Sequence, residues 1–285
     1  MKINHVSPQD NKFTQIIAPI ALMPTKLYYI GTLPTKRQPT VAIVGTRKPT
    51  AYGVEVTTRI ATDLARRGVI IVSGLALGTD AIAHRATLDA GGTTLAVLAN
   101  GLSKITPTSN RQLGENIVAA GGAIFSEYEP DEPPYVVRFL ERNRIVSGLS
   151  DAILITEASS KSGTLNTARH ALEQGKEVFV VPGNITSPLS AGCNSLLKQG
   201  ATPVTCAEDI LEVIAPELLR PQAQLALGDN PLQTKIIQLL QSGVRDGDEL
   251  QMQSEAGAGE FASELTMMEI NGTVRSLGAN QWTLR

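Results

Sequence analysis

The stretch Val41-Ala42-Ile43-Val44-Gly45-Thr46-Arg47-Lys48-Pro49-Thr50 decides the fold. Four apolar residues without alternation describe a strand covered on both faces. A glycine ends the run, and after Pro49 the apolar residues Val56, Ile60 and Leu64 take up helical spacing. The same unit recurs down the chain. Apolar runs at 69–72, 94–98, 123–125, 152–155 and 178–181 alternate with helix-length segments, with Gly74, Gly101 and Gly183 in the turns that follow. This alternation predicts an α/β protein: a Rossmann-like, doubly wound, mainly parallel sheet with its permissive turns at the carboxyl edge, where such sheets bind ligands.

Working outward, residues 1–36 show one strand-like run, LYYIG at 27–31, and are expected to form an N-terminal extension packed on the sheet. Residues 37–215 form the Rossmann-like domain. The segment 216–230, rich in Pro, Gln and Gly, reads as a linker. From 231 to 285 a second pattern follows. Ile236, Ile237, Leu239 and Leu240 mark one helical face, Asp248-Glu249-Leu250 opens a second helix, and Phe261 to Ile270 forms a third. Asn271-Gly272 signals a tight turn, and two short strands around Gly278 complete a winged-helix-like domain.

Composition narrows the function. With 42% hydrophobic and 18% charged residues the 285-residue chain is globular, which excludes a disordered or coiled-coil protein. Its 25 basic and 27 acidic residues leave a net charge of −2, so any nucleic-acid site is a local patch. No apolar run is long enough to span a bilayer and the first residues lack a secretory pattern, so the expected location is cytoplasmic. Cys193 and Cys206 have no metal-ligand spacing around them, and neither metal nor cofactor is expected.

Four segments at or near the predicted carboxyl edge carry anion chemistry. Gly45, Thr46, Arg47 and Lys48 join a strand to a helix start, where backbone N–H groups and basic side chains favour an anion. Ser73, Gly74, Gly78 and Thr79 repeat the arrangement, with Thr79 or Asp80 placed to cap the next helix. Arg138, Phe139, Arg142, Asn143 and Arg144 combine a stacking plane with phosphate donors, the two components of a single-strand site. The alternative for this stretch is an amphipathic helix whose arginines pair with Glu127 and Glu141. Lys161, Ser162, Gly163 and Thr164 lead into another helix. His84 has no nucleophile beside it in the pattern and reads as a packing residue, so no catalytic residue is assigned.

Taken together, VAIVGTRKPTAYG, IIVSGLALGTDAIAHRATLDAGGTTLAVLANGL and the long stretch beginning FLERNRIVSGLSDAILITEASSKSGTLNTARHALEQGK closely resemble the DprA/Smf family of DNA-processing proteins, over residues from about 27 to 214. The resemblance implies a Rossmann-like domain that binds single-stranded DNA, a homodimer formed through that domain, and help in loading a RecA-type recombinase during natural transformation. It places Gly45, Thr46, Arg47, Ser73, Gly74, Gly78, Phe139, Arg142, Asn143, Arg144, Ser162, Gly163 and Thr164 in the DNA pocket. Relatives often carry an Arg where Leu77 precedes Gly78, and Arg138 is the residue expected to offset part of that lost charge. Leu189, Leu196 and Leu197 are candidates for the dimer interface or for the core.

A rival reading, a nucleotide-binding protein or enzyme whose mononucleotide phosphate would satisfy the same loops, comes from the resemblance to nucleotide phosphoribohydrolases of the lysine-decarboxylase-like family, which share an Arg, a strand and a Gly-Thr helix start. Those enzymes follow Gly-Thr with Leu-Glu-Glu, whose carboxylate does acid–base work. Here Leu165, Asn166 and Thr167 follow, and a neutral amide cannot act as that base. Binding is therefore expected in preference to catalysis.

Overall fold

The computed structural model describes residues 2–219 and 230–284, which divide into two compact units at 219/220. In the first unit the order is β1 (Asn4–Val6), β2 (Leu27–Gly31), β3 (Thr40–Val44), α1 (Ala51–Arg66), β4 (Ile70–Ser73), α2 (Thr79–Asp89), β5 (Thr94–Val97), α3 (Arg111–Ala119) and β6 (Ala123–Ser126). It continues with α4 (Val136–Gly148), β7 (Ala152–Ile155), α5 (Thr164–Glu173), β8 (Glu177–Val180), α6 (Ala191–Lys198), β9 (Thr202–Pro203) and α7 (Ala207–Ile214).

The strands form one sheet in the order β1-β2-β6-β5-β4-β3-β7-β8-β9. From β6 to β9 all pairings are parallel, while β1 and β2 run antiparallel at one edge. The segment 1–36, expected as an extension lying on the sheet, thus supplies two of its strands. It also sends Phe13 and Ile17 into the core with no exposed surface. Alternation is absent from the central strands because both faces are covered. Ala42 and Val44 of β3 pack with Ile145, Val146 and Ala168 on one side. Val41 and Ile43 pack with Val56, Ile60 and Leu64 of α1 on the other. Each face of a central strand removes apolar side chains from water, a gain of about 1.5–3 kcal/mol per large residue.

From β3 the chain winds outward through β4, β5 and β6, then returns to place β7 on the other side of β3. The order reverses between β3 and β7. Loops leaving these two neighbours in opposite directions open a crevice at the carboxyl edge, and that crevice is where the fold presents a ligand site.

The second unit contains α8 (Pro231–Gln241), α9 (Gly247–Ser254), α10 (Ala258–Ile270), β10 (Val274–Gly278) and β11 (Gln281–Leu284). Asn230 caps α8 by accepting the Gln233 N–H at 2.9 Å, with Pro231 at the first helical position. Ile236, Ile237, Leu240, Leu250, Phe261, Leu265 and Met268 make its core. Asn271-Gly272 closes α10, and the hairpin turns at Ala279-Asn280, both with positive φ, a conformation Asn tolerates better than Ala. Most of the expected linker, 220–229, lies outside the described residues. Before it, Leu218 and Leu219 pack against the α1 face of the sheet. Among the described residues no helix is long and apolar enough to cross a membrane.

Candidate functional site

At the β3/β7 crevice lies a cavity of about 240 Å³. Its walls come from the loop after β3 (Gly45, Thr46, Arg47), from α4 (Phe139, Arg142, Asn143) and from the start of α5 (Ser162, Gly163, Thr164). Three of the four predicted segments converge here through these nine residues. Arg47 is exposed, and its guanidinium sits 5.6 Å from the centre of the half-buried Phe139 ring, so cation and aromatic plane form one surface. Ser162 Oγ donates to Thr164 Oγ1 at 2.9 Å and accepts the Thr164 N–H at 3.2 Å, shaping the turn at the N-terminus of α5.

From the second predicted loop only Ala76 and Asp80 line the cavity, while Ser73, Gly74, Gly78 and Thr79 stand behind its wall. Ser73 is fully buried and donates to the Ile43 carbonyl at 2.6 Å. Thr79 donates its N–H and its hydroxyl to the Thr46 carbonyl, at 3.1 and 3.2 Å. Gly78, at φ +78°, lies flat against Arg47, where a Cβ would come within 2.5 Å of backbone atoms. Gly74 has the Arg142 guanidinium pressed against it. Gly78 and Thr79 thereby hold Thr46 and Arg47 in place.

Arg144 does not line the cavity: it pairs with Glu127 at 2.5 Å, both side chains largely buried, on another side of α4. Arg138 pairs with Glu132 and lies over the rings of Tyr128 and Tyr135, so it does not replace the charge lost at Leu77. Lys48 and Lys161 are exposed and stand outside the cavity wall. Arg142 lines the cavity but is only 5% exposed, its guanidinium committed to the carbonyls of Gly74 (2.8 Å) and Val97.

The helix N-termini also divide differently. Glu157, buried at the end of β7, accepts the Thr50 N–H at 2.9 Å and its hydroxyl at 2.6 Å, so a protein carboxylate already occupies the start of α1. Asp80 in the first turn of α2 accepts from the N–H groups of Gly74 (3.0 Å) and Ala76 (3.3 Å). Burial raises the Asp80 pKa, opposed by the Arg142 charge, and burial lowers that of Arg142. This leaves α5, with Ser162 and Thr164 at its entry, as the helix start lining the cavity without a protein carboxylate at its cap.

Sequence reasoning missed Asp80, Ala76, Leu140 and Thr167 as lining residues. The sequence offers Thr79 or Asp80 as a helix cap, and nothing in a spacing of six residues from Gly74 signals that Asp80 is the acceptor for that loop. His84 is fully buried with Nδ1 at 2.6 Å from Thr94 Oγ1, a packing position. Among the described residues no cluster of His, Cys, Asp or Glu could hold a metal.

Fold and cavity define a Rossmann-like protein with an arginine, an aromatic face and a helix start gathered at its topological switch point. The chain belongs to the DNA recombination-mediator protein A family, whose pattern matches residues 4–215, and the DprA winged helix domain matches residues 220–280. It is 44% identical over 211 residues to protein Smf of Escherichia coli, covering 73% of this chain and 56% of the relative. It is also 44% identical over 172 residues to DNA processing protein DprA of Bacillus subtilis, covering 60% and 58%. The matched region is thus somewhat over half the length of these relatives. Among solved structures it is similar to DNA processing protein A of Streptococcus pneumoniae, with TM-score 0.69, 36% identity and 75% of each chain covered. A second is DNA processing protein A of Helicobacter pylori, described for its single-stranded DNA binding mode, with TM-score 0.67, 35% identity and coverage of 76% of this chain and 97% of the other.

Proposed function

We propose that the Rossmann-like unit is a non-enzymatic, cytoplasmic holder of single-stranded DNA, gripping the strand in the β3/β7 crevice. The observation that carries this reading is Arg47 seated over Phe139 in the wall of the cavity that Ser162 and Thr164, at the start of α5, also line. A phosphate is met by the guanidinium and by the helix start, and an unpaired base by the ring. Gly45, Thr46, Asn143 and Gly163 complete the contact surface. Duplex DNA, with its bases stacked inward, gives the ring nothing to stack on. The hydrolase reading is disfavoured because Asn166 and Thr167 stand where that family needs a carboxylate. In the cell the bound strand is handed to a RecA-type recombinase, with the protein acting as a homodimer through this unit.

Fluorescence anisotropy of a labelled single strand across a salt series tests the grip. Two to four phosphate contacts per protomer give a logarithmic salt slope of about −1.4 to −2.8. Arg47→Ala should lower the magnitude of that slope by about 0.7 and weaken binding. Equal competition by a duplex of the same length would sink the reading.

A further inference from the structure

Next to the candidate site lies a second and larger cavity, of about 550 Å³. Ile3, Ile30, Leu102 and Ile105 line it with apolar surface, Lys104 and Arg111 bring positive charge, and Ser103, Thr106 and Thr108 add hydroxyls. Its wall is well built. Buried Asn100 donates to the carbonyls of Gly101 and Lys104, both at 2.8 Å, and accepts from Thr106 Oγ1, which holds the 101–106 loop in shape. Arg111, the first residue of α3, is held at its other flank by Glu115 at 2.9 Å.

The two cavities are mechanically joined through Asn110. This buried side chain donates to the carbonyls of Leu75 (2.9 Å) and Ala76 (3.1 Å). Ala76 lines the first cavity, while Thr108 and Arg111, on either side of Asn110, line the second. Asn110 thus ties the loop at the first cavity to the segment that lines the second.

We propose that this second cavity is a further nucleotide subsite for the same single strand, taking an unstacked base against Ile30, Leu102 and Ile105 and the adjoining phosphate on Lys104 and Arg111. The inference rests on the function proposed above. Apolar surface with a cationic rim suits a base and its phosphate together, where a free inorganic anion would use only the rim. Glu115 also lines this cavity, so its exposed pair with Arg111, which contributes little on its own, has to open for the guanidinium to meet the phosphate.

The test compares thymidylate oligomers of about four and about eighteen nucleotides, the short one filling a single subsite. Wild type, Arg47→Ala and the double variant Lys104→Ala/Arg111→Ala are titrated over salt, with a thermal melt to verify folding. The double variant should bind the short oligomer as wild type does. On the long one it should lose about tenfold in affinity and about 1.4 in salt slope, the value of two single-strand contacts. If Arg47→Ala weakens both lengths while the double variant binds the long oligomer unchanged, the strand takes another path and the second subsite is wrong. If wild type binds neither length, the proposed function itself fails and the subsite goes with it.

Discussion

Asp80 and Arg142 hold the same buried residue from opposite ends: the carboxylate accepts the Gly74 N–H at 3.0 Å and the guanidinium donates to the Gly74 carbonyl at 2.8 Å. Each charge offsets part of the burial cost of the other, and together they set the loop that positions Thr46 and Arg47. Truncating Arg142→Ala leaves Asp80 buried beside two carbonyls stripped of a donor. We expect a loss of about 3–5 kcal/mol in unfolding free energy. Adding Asp80→Asn should recover part of it, with a coupling of about 1–3 kcal/mol in a urea double-mutant cycle. Strict additivity would mean that the two groups act independently.

Gly78 tests whether the loop must lie this close to Arg47. Its φ of +78° already disfavours a side chain, and a Cβ would strike the Arg47 backbone at 2.5 Å. Gly78→Ala should therefore cost on the order of 1–3 kcal/mol in stability. It should also displace Arg47 and weaken single-strand binding in anisotropy. Gly175, equally left-handed but with open space where its Cβ would stand, supplies the control: Gly175→Ala should cost stability and leave binding intact.

Two arginines that look equivalent in sequence should separate in experiment. Arg47 is exposed at the cavity, whereas Arg144 is spent on Glu127. Arg47→Ala should weaken strand binding, by about tenfold, with no change in melting temperature. Arg144→Ala should leave binding near wild type and lower stability by about 3 kcal/mol, because Glu127 is left buried without its partner. Parallel anisotropy and thermal melts measure both, and the reverse pattern would return Arg144 to the site.

What could be read in advance follows from where the information sits. The strands at 41–44, 152–155 and 178–181 were legible because two covered faces demand unbroken apolar runs, a purely local signal. The strand β1 was not, since Asn4, His5 and Val6 gain their place by pairing with Tyr29, Tyr28 and Leu27 at the sheet edge, a partner chosen by tertiary contact. In the candidate cavity, the lining by Gly45, Thr46 and Arg47 was legible because loops at the carboxyl edge form the crevice in this architecture. For the stretch 138–144 the alternative of arginines paired with Glu127 holds for Arg144, because helical spacing spreads its arginines to different sides of α4: Arg142 turns to Gly74, Arg144 to Glu127 and Arg138 to Tyr128 and Tyr135. Composition showed an aromatic and three cations, while which of them meet a ligand depends on carboxylates such as Glu127 and Glu132, contributed from before the helix.

His84 supplies a pH prediction of definite sign. Burial, reinforced by the nearby Arg142 charge, lowers its pKa to about 3 from an ordinary value near 6.5. The folded protein therefore keeps the ring neutral while the unfolded chain takes up a proton below about pH 6.5. The unfolded state binds more protons across that window, so stability falls as pH drops from about 6.5 towards 3 and is unaffected by this group above it. Between pH 7 and pH 5 the loss amounts to about 2 kcal/mol. Asp80 works the other way: its raised pKa makes the folded state the better proton acceptor as pH falls below the value it reaches in the fold. Comparison with His84→Gln separates the two, since the variant keeps a polar group near Thr94 Oγ1 but cannot titrate. Urea unfolding at pH 7 and pH 5 should show wild type losing about 2 kcal/mol more than the variant. Equal losses in the two proteins would mean that the ring takes up its proton without unfolding, and that its burial in this pocket is weaker than the geometry indicates.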